Sequence, residues 1–322
     1  MVVSSQSMVQ QAGQGHVPPS TVAAEPTTFE PRQFFYPVPW RAHSYHAGAT
    51  LTKHHGNGTD FAGYASLLAC PDPKRIDIRA SVRTQPQQWL VRTYLERAAI
   101  HVYAIVDVSS SLFFQGPSAQ DLQQRLTRFV ASLAWSVTRQ GDGFGMHAAS
   151  DHLPADLQRL PSFQPGTAQQ VHGLLNGYWQ QASSQGADQG HTASALPAAI
   201  EAIGSRRALV FLISDFFWPA ALLQATMRAA QPHDVMPVVL RDASAFEGLP
   251  AFGWARLRDM ETGQERSWLL RRKLRAQITA DAAQQKQSLN QALIKAGARL
   301  PLWLPPDWRA EDVSRHLMET MA

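Results

Sequence analysis

The chain has 322 residues, 44% apolar and 17% charged, with a formal net charge of +4. That length and mixture exclude a fibrous or wholly disordered chain and support one large or two modest domains with a packed core. A single cysteine, Cys70, excludes an intrachain disulfide and a thiolate zinc cage. The lack of any apolar run of about 18 residues excludes a spanning helix, and a basic surplus this small and scattered leaves no nucleic-acid footprint.

Met1 to about Glu30 is rich in Gln, Ser, Pro, Gly and Ala without apolar period, and reads as a disordered tail (1–30). Met1 to Thr28 carries neither a signal-peptide core nor an early positive cluster, so a soluble cytoplasmic protein is expected. Pro31 to Ser81 is aromatic and broken by Pro and Gly, which suggests an irregular ordered segment with short strands; with the alternating strand Trp89–Arg97 it makes up a lead-in of residues 31–98.

From Ile100 the pattern is regular. Ile100–Val108 is a continuous apolar strand, Asp121–Gln140 an amphipathic helix closed by Gly141, and Phe144–Ala149 a second strand. Helices are expected at Thr167–Gln180 and Ser194–Ile203, strands at Ala208–Ser214 and Val235–Leu240, and between these two a helix from Pro219 to Ala230. Trp254–Asp259 and Glu265–Leu270 read as a hairpin (253–270), followed by a long helix Arg271–Lys295, a strand Arg299–Leu304 and a short helix from Ala310. Apolar strands alternating with amphipathic helices give an α/β class for residues 99–322: a mostly parallel sheet with helices on both faces.

The stretch richest in chemistry is Ile105-Val106-Asp107-Val108-Ser109-Ser110-Ser111, where a buried strand runs out into a loop. Strand carboxyl ends are where open α/β sheets bind ligands. An Asp with two hydroxyls at alternate positions suits a hard cation that takes oxygen ligands. Thr192, in a Gly-His-Thr loop before a helix, and Asp215, after the strand ALVFLIS, are further oxygen donors in compatible places. The bland alternative is an Asp capping a turn among ordinary loop serines.

This arrangement resembles the metal-ion-dependent adhesion site (MIDAS) of the von Willebrand factor A (VWA) family. There the serines of Asp-x-Ser-x-Ser ligate the metal, and a Thr and an Asp from two later loops complete the site. The resemblance implies Asp107, Ser109, Ser111, Thr192 and Asp215 as metal residues, Mg²⁺ (or Mn²⁺ or Ca²⁺) as cofactor, and the acidic side chain of a client protein as partner. Pro71-Asp-Pro-Lys-Arg-Ile-Asp-Ile-Arg, Trp89-Leu-Val-Arg-Thr-Tyr-Leu-Glu-Arg, Leu212-Ile-Ser-Asp-Phe and Arg256-Leu-Arg-Asp-Met-Glu-Thr-Gly are similar to blocks of a bacterial VWA-like family of formerly unknown function. Its members are paired with MoxR-type AAA+ ATPases. Tyr36-Pro-Val-Pro-Trp-Arg-Ala-His-Ser-Tyr-His-Ala-Gly resembles the branch found in methanol-oxidation clusters, which implies a chaperone-like role toward methanol dehydrogenase. Ala193 stands where many members carry Asp after the loop Thr, and Ile78 where the family block has Trp.

Other motifs weigh less. Gly141-Asp-Gly-Phe-Gly follows a helix and precedes a strand, the reverse of a dinucleotide fingerprint, and reads as a helix-ending turn. No phosphate-binding loop, Gly-x-Ser-x-Gly or His-Glu-x-x-His occurs. His43, His46, His54 and His55 could hold a transition metal, though flexible His-containing loops are commoner. Arg75, Arg79 and Arg83 are either a solvated face or a docking surface for an acidic partner. Trp135, Met146, Leu274, Ile278 and Leu289 read as core. The expectation is therefore a metal-dependent protein-binding adaptor, not an enzyme; the rivals are a metal-dependent hydrolase at the same strand edge and a metal-free scaffold.

Overall fold

A computed structural model describes residues 2–4, 30–40, 47–84, 88–113, 122–184, 192–241, 253–258, 265–270 and 272–320. Their side chains are described except at 2–4, 47–60, 95–97, 113, 183–184, 253–258, 265–270 and 272–282. In chain order come β1 (Val2–Ser4), β2 (Ala47–Ser66), α1 (Ile78–Arg83), β3 (Leu90–Ala98) and β4 (His101–Asp107). α2 (Leu122–Arg139), β5 (Gly143–Ala149), β6 (Gln158–Ser162), α3 (Thr167–Ser184) and α4 (Leu196–Glu201) follow. Next are β7 (Leu209–Ser214), α5 (Ala220–Ala229), β8 (Asp234–Val239), β9 (Gly253–Arg258) and β10 (Glu265–Leu270). α6 (Arg272–Lys295), β11 (Leu302–Trp303) and α7 (Ala310–Glu319) complete the chain.

The main sheet has the order β11-β8-β7-β4-β5-β6, parallel throughout except for β6. Counted along the chain and read from β6, this is 3-2-1-4-5-6, the doubly wound order, whose direction reverses between β4 and β7. β4 shows why its run is apolar throughout: Val102, Ala104 and Val106 enter one core, Tyr103 and Ile105 the other. The first core is closed by residues of α2, α3 and α7, the second by residues of α4, α5 and α6. Helices therefore cover both faces, as the alternating pattern implies. Among the described residues no helix is long and apolar enough to cross a membrane.

Gly141 ends α2 at φ 77°, with Gly141 N–H on Thr138 O (3.1 Å) and Asp142 N–H on Val137 O (3.0 Å), the Schellman pattern. The glycine cluster is thus a helix stop, as its context indicated. Trp135 packs against the first core, Met146 is buried, and Leu289 packs on the second; the side chains of Leu274 and Ile278 lie outside the described residues.

Several expectations need correction. The 20-residue β2 was not anticipated: its pairing with β3 carries four register shifts, and bulges erase the alternation by which a strand is recognised. α1 and β6 were also missed, both being too short for periodicity to register. The last strand shrinks from Arg299–Leu304 to Leu302–Trp303, since only these two residues pair with β8. Residues 5–29 of the expected tail lie outside the described residues; Val2–Ser4 pairs with β9, which also pairs with β10 as the expected hairpin.

Residues 30–40 have no regular structure, yet they are stitched to the body. Arg32 N–H and Phe34 N–H donate to the Ser132 and Ser136 hydroxyls of α2 (3.1 and 3.0 Å), and Phe35 N–H to Ser314 of α7 (3.1 Å). The Arg32 guanidinium bonds the Trp308 carbonyl, and Arg299 donates to Pro37 O (3.1 Å) while paired with Asp234 (2.7 Å). Phe34 is fully buried, its ring stacked on Phe129 at 5.6 Å. The strap is a structural part of the first core.

Candidate metal centre

β4 and β7 are parallel neighbours whose last aligned pair is Val106 and Ile213. Asp107 and Ser214 consequently leave the sheet side by side, and Asp215 follows one residue later. Both strands are buried on both faces, so polar side chains appear only where the sheet ends.

The Asp107 carboxylate is 0% exposed. Its Oδ1 accepts Ser109 N–H (2.9 Å); its Oδ2 accepts the Ser214 hydroxyl (2.6 Å) and the Trp218 indole N–H (3.1 Å). The Ser109 and Ser111 hydroxyls lie 3.2 Å apart, and Ser111 also hydrogen-bonds the Asp215 side chain. Asp215, 4% exposed, accepts Phe217 N–H at Oδ1 (3.1 Å). Its loop turns through Phe216 at φ 55°, a left-handed conformation that costs a non-glycine residue about 1–2 kcal/mol. Two contacts hold that turn. Phe216 N–H donates to Ser214 Oγ (2.9 Å), and Arg241 donates to the carbonyls of Asp215 (2.8 Å) and Phe216 (3.1 Å). The Arg241 guanidinium sits 4.1 Å above the Phe217 ring.

Burial raises both carboxyl groups above the usual range; for Asp215 the neighbouring Asp107 charge adds to it. Hydrogen bonds from Ser214, Ser109 and Trp218 pull Asp107 back, and Ser111 and the Phe217 N–H pull Asp215 back, without cancelling desolvation. Two buried acids are thus held where their charges repel; among the described residues neither lies within ion-pair distance of a Lys or Arg, and the Arg241 charge pulls Asp215 back only in part. Two carboxylates and two hydroxyls are hard oxygen donors, and a divalent cation would neutralise the repulsion they share. The donor set fits the implied metal. Among the described residues no group of three His, Cys, Asp or Glu is arranged to hold one, so such an ion would depend on the hydroxyls.

Of the five residues named from the sequence, Asp107, Ser109, Ser111 and Asp215 come together. Thr192 stands apart: it is exposed, and among the described residues its hydroxyl donates to Ser194 Oγ (3.1 Å) and meets none of the other four. Its loop does border the site, because Ala195 N–H donates to Ser150 O just past β5, whose Ala149 is in register with Asp107. Ala193 is buried in the second core and serves packing there.

Sequence reasoning missed Ser214, Trp218 and Arg241. Ser214 and Trp218 flank Asp215 and could have been suspected; Arg241, past β8, gives no local signal. It also missed Tyr178 of α3, whose hydroxyl is raised by burial and then by the Asp151 and Asp107 charges. Arg75 is engaged locally, 3.2 Å from Asp72 and over the Tyr94 ring, whereas Arg79 and Arg83 are exposed on α1. Asp77, of the Ile-Asp-Ile block, caps α1 through Ala80 N–H and pairs with Arg92; these hold its carboxyl at about 2. His43, His46 and the side chains of His54 and His55 lie outside the described residues.

Two solved structures are similar over 69% of this chain. One is an aerotolerance-related membrane protein from Bacteroides fragilis NCTC 9343, with 13% identity, 98% of its own chain covered and a TM-score of 0.38. The other is proximal thread matrix protein 1 from the mussel byssus, with 8% identity, 46% of its chain covered and a TM-score of 0.29. Neither likeness is close enough to carry a fold or a function across. Comparison with curated proteins gives no match. Residues 71–288, which span α1, the Asp107 and Asp215 strands and most of α6, match the family described as Protein of unknown function DUF58, and the chain belongs to that family.

Proposed function

We propose that this protein is a metal-dependent protein-binding adaptor built on a VWA-like, Rossmann-type domain. The observation that carries the reading is the convergence of Asp107, Ser109, Ser111 and Asp215 at the point where the strand order reverses. These residues would hold Mg²⁺, or Mn²⁺ or Ca²⁺, with Thr192 joining from its bordering loop. The ion supplies an electrophilic point at which a carboxylate of a client can bind. The chain itself does the rest: Ser214 and Trp218 fix the Asp107 carboxylate, Arg241 fixes the Asp215 loop, and the apolar strands keep water from both acids.

In this reading the adaptor works with a MoxR-type AAA+ ATPase in maturing a client enzyme, with methanol dehydrogenase as the first candidate and the cytoplasm as the place. The ATPase and the client rest on the motif resemblance, and the cytoplasm on the composition of residues 1–28. Calorimetry with Mg²⁺ on the wild type and on Asp107→Ala is the first test: saturable heat should be present in the former and absent in the latter. Co-expression with the ATPase should then give capture that chelator and Asp107→Ala both abolish. No saturable heat in the wild type leaves a metal-free scaffold; capture indifferent to chelator and to the substitution removes the metal from the mechanism.

A further inference from the structure

Among the described residues large apolar side chains left in water occur singly at several places, Leu160 of β6 among them, but four of them gather in one region. Leu68 (98% exposed), Ile78 (66%), Val82 (69%) and Trp89 (58%) all come from the segment around α1 and the β2–β3 end. They form one surface. Ile78 and Val82 are four residues apart on α1 and share a face. Asp77 N–H donates to Leu90 O and Leu90 N–H to Ser81 Oγ, both at 2.8 Å, which sets Trp89 beside that helix. Leu67 N–H donates to Trp89 O (2.8 Å), bringing Leu68 to the same edge. Ser81 and Asp77 occupy the inward side of α1, so Ile78 and Val82 have no core to enter.

The charge around these residues is one-sided. Among the described residues the two nearby carboxylates are already matched, Asp72 by Arg75 (3.2 Å) and Asp77 by Arg92 (2.6 Å). Arg79 and Arg83, again four apart, run beside the apolar pair on α1; with Lys74 they are exposed and have no carboxylate partner among the described residues. An apolar centre with an unmatched cationic rim asks for the opposite: apolar side chains flanked by Asp or Glu. Arginine predominates over lysine here, and Arg with Trp is the pairing that anchors protein interfaces, because the guanidinium fork meets a carboxylate with two hydrogen bonds.

We infer that this face of α1 and the β2–β3 end is a docking surface for an acidic amphipathic segment of a partner protein, distinct from the Asp107 site. It does not depend on the metal reading, and its residues are outside that site.

Panning a displayed library of short random peptides on the full-length protein tests this. The enriched sequences should combine Asp or Glu with Leu, Ile or Phe at helical spacing, and a synthetic representative should bind more weakly as salt is raised. Arg79→Glu/Arg83→Glu and Ile78→Ser/Val82→Ser should each weaken that peptide ~10-fold or more. Both pairs are exposed, so the melting temperature should not move. Peptides that bind both double variants as tightly as the wild type overturn the proposal. So does a library that enriches nothing; if anionic phosphatidylglycerol vesicles then bind and lose binding in the same variants, the face is assigned to lipid instead.

Discussion

Changing Asp142 to Asn should flatten the stability of this protein between about pH 4 and pH 7. Asp142 follows Gly141 at the end of α2 and is 1% exposed. Its Oδ1 accepts Ile100 N–H (2.9 Å) and its Oδ2 accepts the Tyr36 hydroxyl (2.6 Å), so it ties the strap, the start of β4 and the end of α2 together. Burial is the largest influence on this carboxyl and pushes it from 3.8 to about 6; the hydrogen bonds from Tyr36 and Ile100 oppose the rise without cancelling it. The folded state therefore holds the proton more tightly than the unfolded chain. The stabilisation is fully present below about pH 4 and is lost as pH rises through about 6. At ~1.4 kcal/mol per pH unit, the loss is on the order of 3 kcal/mol. Asn keeps an oxygen for Ile100 N–H and cannot ionise. Asp107 and Asp215, also raised, act in the same sense, and His147, His172 and His233, lowered by burial, act in the opposite sense, losing stability as pH falls; all five are common to both proteins and leave the difference to Asp142. Urea denaturation at half-unit pH steps on wild type and Asp142→Asn gives the difference directly. Equal pH dependence in the two would refute the assignment, and with it the idea that desolvation outweighs the two hydrogen bonds.

Asp215→Asn should stabilise the metal-free protein at pH 7 by about 1–2 kcal/mol while removing Mg²⁺ binding, because it ends the burial of a charge first and the repulsion with Asp107 second, and keeps an acceptor for Phe217 N–H. A melting temperature that falls would show that the two acids do not oppose each other. Trp218→Phe and Ser214→Ala each remove one of the two donors on Asp107 Oδ2, freeing a lone pair for the bidentate carboxylate contact that Ca²⁺ accepts more readily than Mg²⁺. Calorimetry should show the affinity ratio moving ~10-fold toward Ca²⁺, and an unchanged ratio in both variants refutes this. Phe34→Ala should cost about 3–5 kcal/mol in chemical denaturation, since its buried ring stacks on Phe129; a loss under about 1 kcal/mol would mean the strap is dispensable.

Periodicity and strand ends carried much of this protein. β4, β7 and β8 announce themselves as apolar runs because parallel strands covered on both faces have no polar side, and α2 and α5 as stripes because each turns its apolar residues toward one of the two cores, although the strap and α3 bury polar positions of α2 as well. Asp107 and Asp215 stand out for the same reason: they are the first charges after runs that tolerate none. The strap is harder to see. Its anchors, Ser132, Ser136 and Ser314, look like ordinary polar helix positions, and only docking turns them into acceptors for backbone N–H groups. β2 was hidden by its bulges, and Arg241 by lying 26 residues from the carbonyl it holds.

What the amino-acid order determined alone is local: where each strand and helix lies, and which residues stand where a buried strand meets solvent. That β4 and β7 are neighbours, that two buried acids then face each other with Trp218 donating to one of them, and that Thr192 stands apart with its hydroxyl on Ser194, only the tertiary structure decided. Strand order depends on which apolar faces bury each other, a relation between distant residues that no window of sequence contains.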